Sequence, residues 1–159
     1  MRPAVRRLLL LCLPFCLLLP PVASADVTGK AVVVDGDTLE IAGQRVRLWG
    51  IDAPEVDQVC RNKHGKPYDC GANAIRTLAL IVGGQQIACV ERERASDGTV
   101  RAVCRFGRFD IAMQMVQMGW ALADPVTGGD YRRAEMTASA VPEGIWKGGF
   151  ETPWDWRQR

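Results

Sequence analysis

Three short β-forming runs, residues 27–34, 38–41 and 45–51, follow one another with only a tight turn between neighbours. Connections this short suit antiparallel strands, because a parallel crossover needs a dozen residues or more. The first turn is Asp35-Gly36-Asp37 and the second is Ala42-Gly43-Gln44; Gly and Asp are strong turn formers. In the third run Val46, Leu48 and Gly50 fall on one face, and Arg47, Trp49 and Ile51 on the other.

Downstream, residues 52–71 carry Pro54 and Pro67 and little periodicity, which predicts a long loop. Ile75, Leu78, Ala79 and Val82 recur at helical spacing over residues 72–82, before Gly83-Gly84 stops the run. Residues 85–92 and 99–106 form a hairpin around Ser96-Asp97-Gly98. Asp110 is placed to cap a helix over 111–120, and Asp130 a third helix through Ala140. The segment 145–159 holds three of the five tryptophans and is expected to pack on the domain as a tail. These elements predict an α+β, mainly β domain, a small barrel compatible with an OB-type fold, five strands with about three packed helices.

The first 25 residues stand apart. Arg2, Arg6 and Arg7 precede the apolar run 8–19, and Ala23-Ser24-Ala25 offers a small-residue cleavage point. That is the layout of a secretory signal peptide, and the run is too short for a comfortable transmembrane helix, which needs roughly 20 apolar residues. Residues 26–159 are then the folded domain, exported to the periplasm or beyond, without stable membrane insertion and as a monomer. The domain carries 17 basic and 18 acidic residues, so polyanion binding must come from local arginines and a bound cation rather than overall charge. Cys60, Cys70, Cys89 and Cys104 remain after cleavage. In an exported chain they predict two disulfides, with Cys60–Cys70 and Cys89–Cys104 favoured over a metal site built from Cys60, His64 and Cys70. His64 is the one histidine and is expected in a solvated loop, which leaves no Ser-His or Cys-His nucleophile.

The strip 33–55 concentrates the chemistry. Asp37 begins one strand and Asp52 ends another, and the hairpin between them brings these hard oxygen ligands together. Such a pair, completed by backbone and water oxygens, suits Ca²⁺ better than zinc. Arg47 supplies a planar fork matched to phosphate. Glu55, stiffened by Pro54, is a candidate general base for water.

Asp35-Gly36-Asp37-Thr38 and Arg47-Leu48-Trp49-Gly50-Ile51-Asp52-Ala53-Pro54-Glu55 resemble the two signature strips of the thermonuclease, or staphylococcal-nuclease-like, family. Weaker similarity runs from about Val27 to Trp146, and Cys60, Tyr68, Cys70 and Gly71 resemble an exported bacterial subgroup. The resemblance implies an OB-fold barrel and calcium-dependent cleavage of DNA or RNA. It implies Asp37 and Asp52 as calcium ligands with the Ala53 carbonyl, Asp35 as a supporting acid, Glu55 as general base and Arg47 as a phosphate-binding arginine. A second catalytic arginine falls on Arg101 when counted forward from Asp97, but its place falls on Thr99 when counted back from Ala102-Val103-Cys104. The family's tyrosine near that arginine is absent, and Asp124 replaces a further one.

These departures motivate a rival reading: a weakened or inactive OB-type module that binds nucleic acid, glycan or protein. A polysaccharide-biosynthesis accessory role has no residue that argues for it directly.

Overall fold

The computed structural model describes residues 26–159; the expected leader, with Cys12 and Cys16, lies outside the described residues. The elements are β1 (Val27–Asp35), β2 (Thr38–Ile41), β3 (Gln44–Leu48), β4 (Ile51–Asp52), β5 (Val59–Arg61) and β6 (Pro67–Asp69). Then come α1 (Cys70–Val82), β7 (Gln86–Arg94), β8 (Val100–Phe106), β9 (Phe109–Asp110), α2 (Ile111–Gln117) and β10 (Leu122–Ala123). Helix α3 (Arg132–Ser139) and the single turn α4 (Pro153–Trp156) complete the chain.

β1, β2 and β3 form the expected antiparallel meander. β7 pairs with the far side of β1, β8 with β7, and β8 then meets β3 in parallel. The sheet order β3-β2-β1-β7-β8 thus closes on itself as a five-strand OB-type barrel. Leu39, Ile41, Val46, Ile87, Val100 and Ala102 are fully buried. Burying a Val, Leu or Ile side chain in this way contributes about 1.5–3 kcal/mol. Helix α1 packs on β1, and α2 packs on α1, α3 and β8.

Several predicted boundaries move. The third run is two strands, since the chain turns at Trp49-Gly50 and Gly50 has φ 76°. A Cβ on Gly50 would lie 2.6 Å from the Tyr131 ring, so this turn requires glycine. β4 leaves the barrel and pairs with β10, and Ile51 is buried with Leu48 rather than facing away from it. The long loop contains the small hairpin β5–β6. Helix α1 starts at Cys70 and buries Ala74, Thr77, Leu78 and Val82; Ala79 is exposed. Asp110 does cap α2 through the Met113 amide at 3.1 Å, but the helix ends at Gln117. Asp130 does not cap α3: it lies in a 3₁₀ turn, Gly129–Tyr131, that leads into the helix without a side-chain cap. Met115 is core, Met113 is packed against it and Met118 is half exposed.

Both favoured disulfides are present. Cys89 and Cys104 are direct partners across β7 and β8, and Cys60–Cys70 ties β5 to the first residue of α1. Such bonds persist in an oxidising environment. Among the described residues no helix is long and apolar enough to cross a membrane.

The Cys89–Cys104 bridge spans a separation of 15 residues, a loop whose closure is worth about 3 kcal/mol in the unfolded chain. Replacing both cysteines by alanine is expected to lower unfolding free energy by about that amount in urea titration, with the barrel retained by circular dichroism.

Candidate functional site

The β2–β3 hairpin and the start of the following loop place the predicted site residues. Thr38 is the register partner of Arg47, and the Leu48 amide donates to the Asp37 carbonyl at 2.8 Å. Asp37 therefore sits beside the exit of β3, and β4 brings Asp52 to the same point. Both aspartates are buried. Buried carboxylates need partners, and here one guanidinium serves both. Arg47 Nη2 lies 2.9 Å from Asp37 Oδ2 and 2.8 Å from Asp52 Oδ1, while its Nε donates to Asp37 Oδ2 at 3.2 Å. Thr38 Oγ1 donates to Asp37 Oδ1 at 2.8 Å.

The balance is incomplete for Asp37. Burial outweighs Arg47 and Thr38 and pushes its carboxyl up to about 6. Burial also raises Asp35, whose Oδ1 accepts from the Gly36 amide at 2.6 Å. For Arg47, burial opposes the charge, yet Asp37 and Asp52 hold it more firmly protonated than usual.

Glu55 lies on the loop after β4. Its amide donates to Gln58 Oε1 at 3.1 Å, and Gln58 Nε2 donates to the Glu151 carbonyl at 2.7 Å. Gln58 is fully buried, so it fixes the Glu55 loop against the tail. Gly71, in the first turn of α1, permits the same approach: a Cβ there would lie 1.8 Å from the Glu55 carbonyl oxygen. Ala53 is buried beside the aspartates, with its amide 3.5 Å from Asp37 Oδ2.

Arg101 and Arg47 are direct partners in the parallel β3–β8 ladder. A register shift in β7 between Glu91 and Glu93 adjoins this point, and Arg101 contacts Glu93 at 3.4 Å. Arg47, Trp49, Asp52, Arg101, Asp124 and Arg157 line one open pocket. Asp124 is a turn former there. Burial pushes its carboxyl up, but hydrogen bonds from Thr127 and Val126 prevail and hold it low; its Oδ1 accepts from both amides and the Thr127 hydroxyl.

Sequence reasoning missed Gln58 and Arg157. Arg157 Nη2 donates to Asp52 Oδ2 at 2.5 Å and Nη1 to Asp52 Oδ1 at 3.0 Å; Nη1 also donates to Glu55 Oε1. Hydrogen bonds to Asp52 and Glu55 hold this guanidinium strongly protonated. The Trp-rich tail was the one available signal, and it announced packing rather than chemistry. His64 takes no part in the site; its amide donates to Asn62 Oδ1 within the β5–β6 connection.

The donor set is of the kind a hard cation such as calcium uses. Asp37 and Asp52 are two buried carboxylates that meet at one Arg47 nitrogen, 2.9 and 2.8 Å from it, and so present hard oxygen donors close together. Among the described residues no three His, Cys, Asp or Glu side chains converge as a metal set. Remaining ligands would come from backbone and water oxygens, as calcium allows.

A raised carboxyl predicts a pH effect with a definite sign. Folded Asp37 holds its proton up to about pH 6, whereas an unfolded Asp releases it near pH 4. Its contribution to stability is present below the lower value and lost as pH rises through the higher. In chelator, wild type should lose about 2 kcal/mol from this group between pH 4 and 7. Asp37→Asn should lack that decline, as read by urea unfolding at each pH. Separately, Gly71→Ala should displace the Glu55 loop and cut any activity at least tenfold while the barrel's circular dichroism persists.

The family model described as staphylococcal nuclease homologue matches residues 45–148. The chain is 35% identical over 128 residues to "Succinoglycan biosynthesis protein ExoI" of Rhizobium meliloti (strain 1021), covering 79% of this chain and 67% of that protein. It is 27% identical over 140 residues to "Probable staphylococcal-like nuclease CAN3" of Oryza sativa subsp. japonica, covering 86% of this chain but 34% of that one. It is 29% identical over 135 residues to "Probable endonuclease LCL3" of Paracoccidioides brasiliensis (strain Pb03), covering 72% and 38%. The chain thus spans little more than a third of the two relatives named as nucleases.

Proposed function

The chain belongs to the family of staphylococcal nuclease homologues, and on that premise we propose that it is a calcium-dependent nuclease that hydrolyses phosphodiester bonds of DNA or RNA. Its coarser role is that of a nuclease or nucleic-acid-binding protein, in keeping with the names of its nuclease relatives. The observation that carries the finer reading is that Arg47 joins Asp37 to Asp52 and Arg157 joins Asp52 to Glu55, beside one pocket that Arg47, Asp52 and Arg101 line.

Asp37 and Asp52, with the Ala53 carbonyl, would hold calcium, which supplies Lewis-acid stabilisation of charge on phosphate oxygens. Arg47 and Arg101 bind and orient the phosphate, and their fixed charges act where negative charge develops. Glu55, held by Gln58, takes the proton of the attacking water. Asp35 supports the turn that presents Asp37. Chain cleavage needs no histidine here, because base and phosphate ligands are all supplied by this face. The disulfides and the expected leader support a protein exported to the periplasm or beyond.

One observation favours a non-cleaving module instead: Asp52 and Glu55 are both engaged by Arg157. The same assay separates the readings. The protein should cut single- and double-stranded DNA and RNA with calcium and lose this in chelator. Glu55→Gln should lower kcat by about 10²–10⁴-fold, and Arg47→Gln by about 10²–10³-fold. Binding without calcium-dependent turnover above the Glu55→Gln level would leave the module reading in its place.

A further inference from the structure

We propose that Arg157 is a third phosphate-binding arginine of this site, delivered by the C-terminal tail to grip a backbone phosphate of the nucleic acid strand. The inference rests on the nuclease reading and deepens it.

Arg157 lines the same pocket as Arg47 and Arg101, so three guanidinium groups face one open, polar concavity. It reaches that place because the tail is tied down along its length. The Arg61 amide donates to the Gly149 carbonyl at 2.7 Å, and Gln58 holds Glu151. Thr152 caps α4 through the Asp155 amide. Trp156 Nε1 donates to Asp57 Oδ1 at 3.2 Å. These contacts fix the tail against the loop that carries Glu55, so Arg157 is presented by a built structure.

Its partners in the free protein are the two carboxylates with other work to do. A divalent cation on Asp52 competes with the Arg157 fork, which spans both Asp52 oxygens. Like charges a few ångströms apart repel. Loading the cation would therefore loosen Arg157 from Asp52 while the tail anchors keep it at the pocket. A half-exposed guanidinium in that position has a planar fork free for phosphate oxygens.

The test is binding of a short fluorescent single-stranded DNA to the full exported chain carrying Glu55→Gln, in calcium, across a salt series. Each phosphate contact to a single strand contributes about 0.7 to the slope of log affinity against log salt. Arg157→Gln should lower the slope by about that amount and weaken binding about tenfold. Arg159→Gln, which removes a charge two positions away, should leave the slope unchanged. Calcium affinity, measured by calorimetry without DNA, should be equal or tighter in Arg157→Gln because a competitor for Asp52 is gone. Arg157→Lys should keep the slope but lose several-fold in affinity, and it decides the matter if the Gln variant does not fold.

An unchanged slope in Arg157→Gln overturns the proposal. So does an equal fall in Arg159→Gln, which would be a general field effect, or tighter DNA binding in Arg157→Gln, which would make the tail a plug. If the parent protein lacks cleavage but the slope effect holds, only the nuclease reading falls. If cleavage is calcium-dependent and the slope effect is absent, only the Arg157 proposal falls.

Discussion

The parallel pairing of β3 with β8 is the contact on which both fold and site depend. Without it the five strands would be an open sheet with two unpaired edges. With it, Val46 and Val100 become neighbours in a closed core, and Arg47 is set beside Arg101. One ladder thus joins the first strand hairpin to the second, across more than fifty residues of chain. The turn at Trp49-Gly50 then carries the chain out of the barrel sheet into β4, which sets Asp52 beside Arg47.

Charge balance follows from that placement. Two buried aspartates share one arginine, and a second arginine arrives from the tail. Burying such charges is costly unless each is paired. The pairing here is serviceable without being complete, as the raised carboxyl of Asp37 records. On the proposed reading an added cation would complete that pairing, and the oxygen-only donor set would suit a hard one.

Much of this was legible in the chain because it is local. Asp37, Arg47, Asp52 and Glu55 fall within one hairpin and its exit, where turn chemistry and alternation fix relative position. For the second arginine the chain left two positions open, Arg101 and Thr99. The β3–β8 ladder sets Arg101, not Thr99, beside Arg47, and a pairing between distant strands leaves no mark in residue spacing. Gln58 and Arg157 were not legible. Their partners lie 93 and 105 positions away, and nothing in a Trp-rich tail says which loop it will cover. The missed break at Gly50 has a similar cause: alternation continues through it, and only the crowding by Tyr131 shows why the chain must turn. Asp130 looked like a helix cap because its residue type suits one, but the 3₁₀ turn places Tyr131 at that position instead.

The Cys60–Cys70 bridge has a wider meaning than holding a loop short. It fastens the strand that follows Glu55 and Gln58 to the first residue of α1, and the next residue, Gly71, lies directly under the Glu55 carbonyl. In reducing surroundings that fastening is missing, and the loop loses a covalent tether close to its acid. On the proposed export, completion of this face would be coupled to arrival in an oxidising compartment. On that reading, the bond would hold the acid-bearing loop to the helix only where disulfides persist, away from the nucleic acid of the compartment of synthesis.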